Sequence, residues 1–221
     1  KRVRQALNYA IDKQAILDSL LQGQGRLLSG QILRKEQIGF DPAVKDYPYD
    51  PAKAKALLAE AGFPNGLTIT FKFPTGRYAQ DREVAEAVAG MLAEVGVKAE
   101  MVSLEAGEFL RQLSARELAP MGFVGLAPAD DPDPQWAQYR SDWRYSYLAN
   151  PEIDKLIDAG AQEVDPVKRA EIYKKAAQIM HDEASVLFLY QAVDLYGVTD
   201  RVKDFLPRGD QRWTLYGMSM A

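Results

Sequence analysis

Residues 67–101, LTITFKFPTGRYAQDREVAEAVAGMLAEVGVKAEM, contain the pattern that decides the fold of this 221-residue chain. Apolar and polar residues alternate over residues 67–73, which predicts a strand. An apolar helical stripe then runs through residues 84–95 and ends at Gly96, and the alternation returns over residues 97–101. A strand, a helix and a strand joined by short connections predict a right-handed βαβ unit with parallel strands.

Helix-start signals place the remaining elements. Three Asx-Pro pairs predict helices with an Asp or Asn cap and proline in the first turn: Asp50-Pro51, Asn150-Pro151 and Asp165-Pro166. Periodicity predicts further helices over residues 2–12, 13–22 and 105–115. Further strands are predicted over residues 121–125, 186–190 and 192–198, with an ordered loop over 23–48 and irregular chain from 199 onward. Alternating strands and helices indicate an α/β fold with a mixed, mainly parallel sheet and helices on both faces.

The composition excludes several classes of function. The net charge of −4 offers no basic surface for nucleic acid, and the absence of cysteine removes disulfides, thiolate nucleophiles and zinc–sulfur sites. The single histidine, His181, is interpreted as a partly exposed residue near a helix end. No apolar run is long enough to span a bilayer. The chain opens directly into a helix without a signal peptide, as a mature fragment or an excised domain would.

The stretch from residue 121 to 150 is the candidate binding region. A short apolar strand leads into an acidic turn, in which Pro128, Pro132 and Pro134 are predicted to prevent regular helix or sheet. An aromatic run follows. Ligands of parallel α/β sheets bind beyond the carboxyl ends of the strands, so the loops 74–78, 103–107 and 127–134 are predicted to share one rim. Arg77 and Asp130 would then lie on the same edge.

Each candidate residue has a functional and a structural interpretation. Asp130 would pair with a ligand ammonium in a semi-buried cleft, a role that Asp131 and Asp133 could share; alternatively, all three aspartates would cap turns or face solvent. Arg77 would bind a ligand carboxylate, or pair with Asp81 four residues on. Among the aromatic residues, Trp136 and Tyr139 would stack on a ligand or belong to the core. The candidate ligand-binding residues are therefore Asp130, Arg77, Asp131, Asp133, Trp136 and Tyr139; no catalytic residue, metal or cofactor is expected.

Blocks spanning nearly the whole chain resemble the solute-binding proteins of dipeptide and oligopeptide ABC importers. They are residues 2–16 (RVRQALNYAIDKQAI), 49–66 (YDPAKAKALLAEAGFPNG), 76–97 (GRYAQDREVAEAVAGMLAEVGV), 150–160 (NPEIDKLIDAG), 165–180 and 189–198 (LYQAVDLYGV). The resemblance implies that residues 1–221 are a single lobe of a two-lobed, type II periplasmic-binding-protein fold. It also implies that residues 205–221 form the crossover back to the missing second lobe.

The resemblance also implies a role for the acidic turn. In the peptide binders, an aspartate in a Gly-Trp-x-x-Asp-x-x-Asp-Pro stretch takes the ligand's α-amino group. Residues 125–134 (GLAPADDPDP) resemble that stretch, with Asp130 as the match and Asp133-Pro134 as the trailing pair. Leu126 stands where tryptophan is usual, and the spacing needs one extra residue around Pro128. The family also commonly has proline in the loop that residues 28–33 occupy here.

The leading hypothesis is a non-catalytic lobe that binds a short peptide between itself and its second lobe, with an ABC permease as partner. Such a protein would be periplasmic or a membrane-anchored extracellular lipoprotein. An oligosaccharide ligand is the alternative, since the aromatic run suits sugar rings. A glycoside hydrolase would need two of the three aspartates to face each other about 5–9 Å apart across a cleft. A protein-interaction domain is also compatible with this fold class.

Overall fold

The computed structural model describes residues 1–127, 129–208 and 214–220. Its helices are α1 (Arg2–Tyr9), α2 (Lys13–Ser19), α3 (Pro51–Glu60), α4 (Asp81–Glu94), α5 (Ala106–Ser114), α6 (Pro132–Ala137), α7 (Pro151–Gln162) and α8 (Pro166–Asp182). Its strands are β1 (Arg26–Leu27), β2 (Leu67–Pro74), β3 (Val97–Leu104), β4 (Met121–Gly122), β5 (Tyr190–Gln191), β6 (Val202–Lys203) and β7 (Ser219–Met220). In the described ranges, no helix is both long and apolar enough to cross a membrane.

The central sheet has the strand order β3-β2-β4, and both pairings are parallel. Strands β2 and β3 stay in register over their whole length, from Leu67 opposite Val97 to Pro74 opposite Leu104. The predicted parallel β-α-β unit is therefore confirmed. Strand β4 is shorter than predicted: it pairs with β2 at only two residues, and its side of the sheet is only partly buried.

Helices cover both faces of this sheet. Successive side chains of a strand point to opposite faces, so neighbouring residues of β2 contact different helices. Phe71 and Phe73 of β2 are buried in a hydrophobic cluster with the apolar stripe of α4. Between them, Lys72 reaches the other face, where its Nζ donates to Gln112 Oε1 on α5 at 2.9 Å. The predicted α/β class, with a mainly parallel sheet and helices on both faces, is confirmed.

All three predicted Asx-Pro helix starts are present. The side chains of Asp50, Asn150 and Asp165 accept hydrogen bonds from backbone N–H groups in the first turns of α3, α7 and α8. A fourth helix, α6, begins in the same way at Asp131-Pro132. The prediction that prolines keep this loop out of helix is therefore wrong. Pro132 and Pro134 occupy the first turn, where backbone N–H groups have no intrahelical acceptor, so proline costs nothing there.

The predicted late strands are mostly absent. Only Tyr190 of residues 186–190 lies in a strand, and residues 192–198 form none. A strand needs a hydrogen-bonded neighbour, and β5 finds one in β1 at only two residue pairs. Sequence alternation does not reveal whether such a neighbour exists. Conversely, the tail predicted to be irregular contains the antiparallel pair β6 and β7, with Val202 opposite Met220.

Hydrogen bonds join the helix α1 to the chain that follows α8, although the two segments are distant in sequence. Asn8 is buried, and its Nδ2 donates to the carbonyl oxygen of Val186 at 3.0 Å. Its Oδ1 accepts from the backbone N–H of Phe188 at 3.2 Å. Both groups of one amide side chain are thus satisfied by residues about 180 positions away in the sequence. The helix α1 and residues 183–188 are fixed to each other.

Candidate functional site

The loops that follow β2 and β4 meet at one edge of the sheet. The Tyr78 hydroxyl donates to the carbonyl oxygen of Gly125 at 3.4 Å, and the Tyr78 ring packs edge-on against Phe123. The loop after β2 is joined to the carboxyl end of β3, where the next loop begins, by a hydrogen bond between the hydroxyls of Thr75 and Ser103 and by Thr75 N–H, which donates to the carbonyl oxygen of Leu104 at 3.0 Å. The three loops therefore form one surface at the carboxyl ends of the strands, which we call the rim.

Arg77 lies on the rim with an exposed side chain. Its Nε donates to the Tyr78 hydroxyl at 3.2 Å. Asp81 is bound to this turn, but through the backbone: its buried carboxylate accepts from the N–H groups of Gly76, Arg77 and Tyr78 at 3.3, 2.8 and 3.0 Å. Asp81 therefore stabilises the turn through its backbone, and the alternative in which it pairs with the guanidinium of Arg77 is not observed.

Asp130 is the most exposed acidic residue of the predicted site. Its side chain is 92% exposed, and its Oδ1 lies 3.3 Å from Arg34 Nη2. Arg34 is by contrast mostly buried, with a side chain only 25% exposed. The semi-buried environment predicted for Asp130 is therefore not present in this chain. An exposed ion pair of this kind contributes little to stability, so the carboxylate can change partner.

Hydrogen bonds from the side chains of Arg34 and Gln37 hold the backbone at Ala129, the residue before Asp130. Arg34 Nη2 and Gln37 Nε2 both donate to the carbonyl oxygen of Ala129, at 3.0 and 2.8 Å. Gln37 is buried; it also donates to Gln135 Oε1 at 3.1 Å, and Gln135 in turn donates to the carbonyl oxygen of Ile32 at 2.6 Å. The loop that carries Arg34 and the acidic turn are thereby locked together.

Asp131 and Asp133 both face Arg169 of α8. Arg169 donates to the two carboxylate oxygens of Asp131 at 2.9 and 2.7 Å, and its Nη2 lies 2.8 Å from Asp133 Oδ2. Arg169 Nε donates to the carbonyl oxygen of Gly160 at the end of α7, so one side chain connects α6, α7 and α8. The hydrogen bonds from Arg169 hold the pKa of Asp131 below its usual value. Both aspartates therefore have a structural partner.

The two aromatic candidates lie inward. Trp136 has no exposed surface and belongs to the hydrophobic cluster built by α7, α8 and residues 184–188. Tyr139 packs against the same cluster, with its ring edge-on to Trp136, and burial raises the pKa of its hydroxyl. Within the aromatic run, the side chains with substantial exposure are Trp143 and Tyr147. Pro128, predicted to stiffen the loop, lies outside the described residues.

Two residues that hydrogen-bond to this rim from another loop could not be predicted from the sequence. Arg34 and Gln37 lie in the loop 23–48, where no periodic pattern or motif singles out any side chain. The loop is ordered by contacts that only the structure reveals, such as the buried side chain of Gln31, which exchanges two hydrogen bonds with the backbone of Asp41. His181, in contrast, is found as predicted, partly exposed in the last turn of α8, where it stacks on Tyr47.

Comparison with known proteins gives the family. The family model for bacterial extracellular solute-binding proteins, family 5, matches residues 1–147. The "Di/tripeptide-binding protein 3" of Pseudomonas aeruginosa is 33% identical over 98% of this chain and 42% of its own length. The "Heme-binding protein A" of Haemophilus influenzae is 32% identical over 99% of this chain and 41% of its own length. The chain thus spans about two fifths of the length of these curated relatives.

A solved structure agrees with the sequence relatives. The structure of HbpA2 from Haemophilus parasuis superimposes with a TM-score of 0.84 and 28% identity, over the whole of this chain and 45% of that one. This likeness identifies the α/β architecture described above as that of type II periplasmic binding proteins. With a family model that matches 147 of its 221 residues, the chain belongs to the bacterial extracellular solute-binding proteins of family 5.

Proposed function

We propose that this chain is the ligand-binding lobe of a non-catalytic solute-binding protein that delivers short peptides to an ABC importer. The observation that carries the proposal is the exposed carboxylate of Asp130, presented at the carboxyl ends of parallel strands with Arg77 on the same rim. An ammonium and a carboxylate are the two charged ends of every free peptide. The names of relatives such as the di/tripeptide-binding protein support this ligand class.

The proposal includes a second lobe formed by other parts of the same protein, with residues 205–221 as the crossover toward it. The shared length of about two fifths with the relatives supports this organisation. So does the apolar surface of the tail, where Leu206, Leu215, Tyr216 and Met220 are largely exposed. Residues 209–213 and 221 of that segment lie outside the described residues. The ligand would be enclosed when the two lobes close, and the closed form would be recognised by the permease.

The proposed location is the periplasm or the outer surface of the cell, on a lipid anchor. The family description, extracellular solute-binding proteins, supports a site outside the cytoplasm.

A glycoside hydrolase is not favoured by the positions of the acidic residues. Asp131 and Asp133 share one guanidinium on the same side of α6 and do not face each other across a cleft.

Native mass spectrometry of the full-length protein tests the proposal. The wild-type protein, purified without denaturation, should carry a ladder of masses that fit short peptides. Asp130→Ala should lose them, because removing one partner of a desolvated charge pair costs about 2–5 kcal/mol of binding. Asp18→Ala removes a carboxylate on the distant helix α2 and should retain the ladder, which makes it the matched control.

Other outcomes would replace the peptide. Trp143 and Tyr147 are the exposed rings of the aromatic run, and they are the surface on which a sugar would stack. Sugar masses that survive Asp130→Ala would move the site to these rings and contradict the ammonium pairing. Turnover of a chromogenic glycoside would contradict the non-catalytic assignment.

A further inference from the structure

We infer that Arg34 is the residue that takes the carboxylate of the bound peptide, while Asp130 takes its ammonium, so that this ion pair selects dipeptides. The inference rests on the proposed function, because it assigns a second charged group at the same rim. It differs from the simpler assignment, in which Arg77 binds the carboxylate.

The first argument is the unequal anchoring of the two charges. The side chain of Arg34 is three-quarters buried, and its nitrogens donate to Ala129 O at 3.0 Å and to Gln37 Oε1 at 3.4 Å. Both acceptors are neutral and belong to the network under the acidic turn. Asp130, in contrast, is 92% exposed and makes only the 3.3 Å contact with Arg34 among the hydrogen bonds of the described residues. The cation is fixed, and the anion is free to rotate.

The second argument is the charge balance of the pair. The neutral partners of Arg34 leave its positive charge to be compensated by Asp130 alone, within the part of the chain that the structure describes. A ligand carboxylate can replace Asp130 as the acceptor from Arg34 Nη2, since the guanidinium keeps its positive charge and its other hydrogen bonds go to neutral groups. The displaced carboxylate of Asp130 then becomes free for the ligand ammonium. The internal pair thus exchanges partners with a zwitterion, and no charge is left unpaired.

The third argument is length. An extended chain spans at most about 3.6 Å per residue, so the charged ends of a dipeptide lie within about 7 Å of each other and those of a tripeptide within about 11 Å. Arg34 and Asp130 are in direct contact before the exchange, and only the exposed partner can swing away. Their separation therefore fits the two ends of a dipeptide better than those of a longer peptide.

Arg77 lacks these features. Its exposed guanidinium rests beside Tyr78, with the Nε hydrogen bond at 3.2 Å and the ring centroid 5.4 Å from Cζ. No hydrogen bond or ion pair of the described residues connects it to Asp130 or to the backbone that Asp130 occupies. The nearby carboxylate of Asp81 is occupied by backbone N–H groups of the turn, and no ion pair of the Arg77 guanidinium is found among the described residues.

The test measures binding to the full-length protein by calorimetry with three forms of one dipeptide. The dipeptide is the one that the wild-type protein retains most strongly from a defined dipeptide library, and the other forms are its C-terminal amide and its N-acetyl derivative. Arg34→Gln should weaken binding of the free dipeptide at least about tenfold and leave binding of the amide unchanged. Asp130→Asn should weaken the free dipeptide and spare the N-acetyl form.

Three further variants keep the result interpretable. Lys35→Gln removes an equal charge from the adjacent exposed residue and should change nothing. Arg34→Lys keeps the charge and should retain part of the affinity, which also serves if Arg34→Gln fails to fold in a thermal melt. Arg77→Gln should affect the free dipeptide and the amide equally.

Each remaining outcome contradicts the inference, either as a whole or in one of its parts. Equal losses for free dipeptide and amide in Arg34→Gln would reduce Arg34 to a positioning residue for the acidic turn. A carboxylate-specific loss in Arg77→Gln instead would return the role to Arg77 and leave the peptide proposal intact. A wild-type protein that retains no member of the dipeptide library, yet carries longer peptides, would contradict only the length selection. Absence of any peptide would overturn the proposed function itself.

Discussion

The indole ring of Trp136 lies flat against the phenol ring of Tyr173, with ring centroids 6.1 Å apart and planes inclined by 6°. Both side chains are completely buried. Trp136 comes from the helix that follows the acidic turn, and Tyr173 comes from the middle of α8. The stack therefore anchors the turn that carries Asp130 to the longest helix of the described chain.

This stack predicts a large effect on stability. Trp136→Ala should lower the free energy of unfolding by about 3–5 kcal/mol, because it removes a fully buried ring and leaves a cavity. Trp143→Ala truncates the same side chain at a site that is 39% exposed and should cost less than about 1 kcal/mol. Urea denaturation measures both. A small change for Trp136→Ala together with a lost ligand would show that the ring serves binding and not packing.

The contacts of Arg169 predict a second difference. Arg169→Met should destabilise the protein by about 2 kcal/mol. The carboxylates of Asp131 and Asp133 lose their cationic partner, and the carbonyl oxygen of Gly160 loses its hydrogen bond from Arg169. Arg82→Met breaks an exposed pair with Glu86 on α4 and should change stability much less than Arg169→Met. Guanidinium chloride denaturation of the two variants gives the comparison. Equal losses would mean that the Arg169 cluster contributes no more than a surface pair.

The lowered pKa of Asp131 predicts how stability depends on pH. The carboxyl has a lower pKa in the folded state than in the unfolded state, where the value is about 3.9, chiefly because Arg169 donates to it. The folded state therefore binds fewer protons. This stabilisation is fully present above about pH 5 and is lost as the pH falls through the unfolded-state and then the folded-state pKa.

Asp131→Asn should accordingly lose less stability than the wild-type protein when the pH is lowered from 5 to 3. In an Arg169→Met background, the same substitution should no longer change that slope, because the cause of the shift has been removed. Thermal melts across this range measure both slopes. An unchanged slope in Asp131→Asn would contradict the assigned pair.

The buried carboxylate of Asp81 predicts a cost at the rim. Asp81→Ala should destabilise the protein by about 2–3 kcal/mol, because three backbone N–H groups of the turn lose a charged acceptor. Asp50→Ala removes the cap of α3 and should cost about 1 kcal/mol. Denaturant titrations measure both, and hydrogen exchange at Arg77 and Tyr78 should rise only in Asp81→Ala. Protected amides in that variant would show that the turn does not depend on the carboxylate.

The sequence patterns predicted the elements that depend on local chemistry. Asx-Pro pairs and the alternation of β2 are visible within a few residues, so three helix starts and the parallel unit could be read directly. The helix α6 was not predicted, because proline disrupts a helix interior but is compatible with the first turn, and Pro132 and Pro134 lie in that turn. The strand predicted over residues 192–198 was wrong, because pairing depends on a neighbour that alternation alone cannot reveal.

The candidate site could be predicted only in part from the sequence. Asp130 and Arg77 were predicted to share one edge of the sheet, and strand order alone carried that prediction. Arg34 could not be predicted, because its 96-residue separation from Asp130 is closed by a loop without any repeating pattern. The partner of Asp131 and Asp133 was equally hidden, since no sequence pattern connects the acidic turn to Arg169, which lies 38 residues beyond Asp131.

The amide of Asn8, held by Val186 and Phe188, has a consequence for protein engineering. It fastens the chain at residue 8 to the chain at residue 188, and the pairing of β1 with β5 lies directly beside this point. Family members that exchange the segment between these residues would need to keep the asparagine together with its two backbone partners. A graft that separates them would leave Val186 O and Phe188 N–H without the amide that pairs with them here.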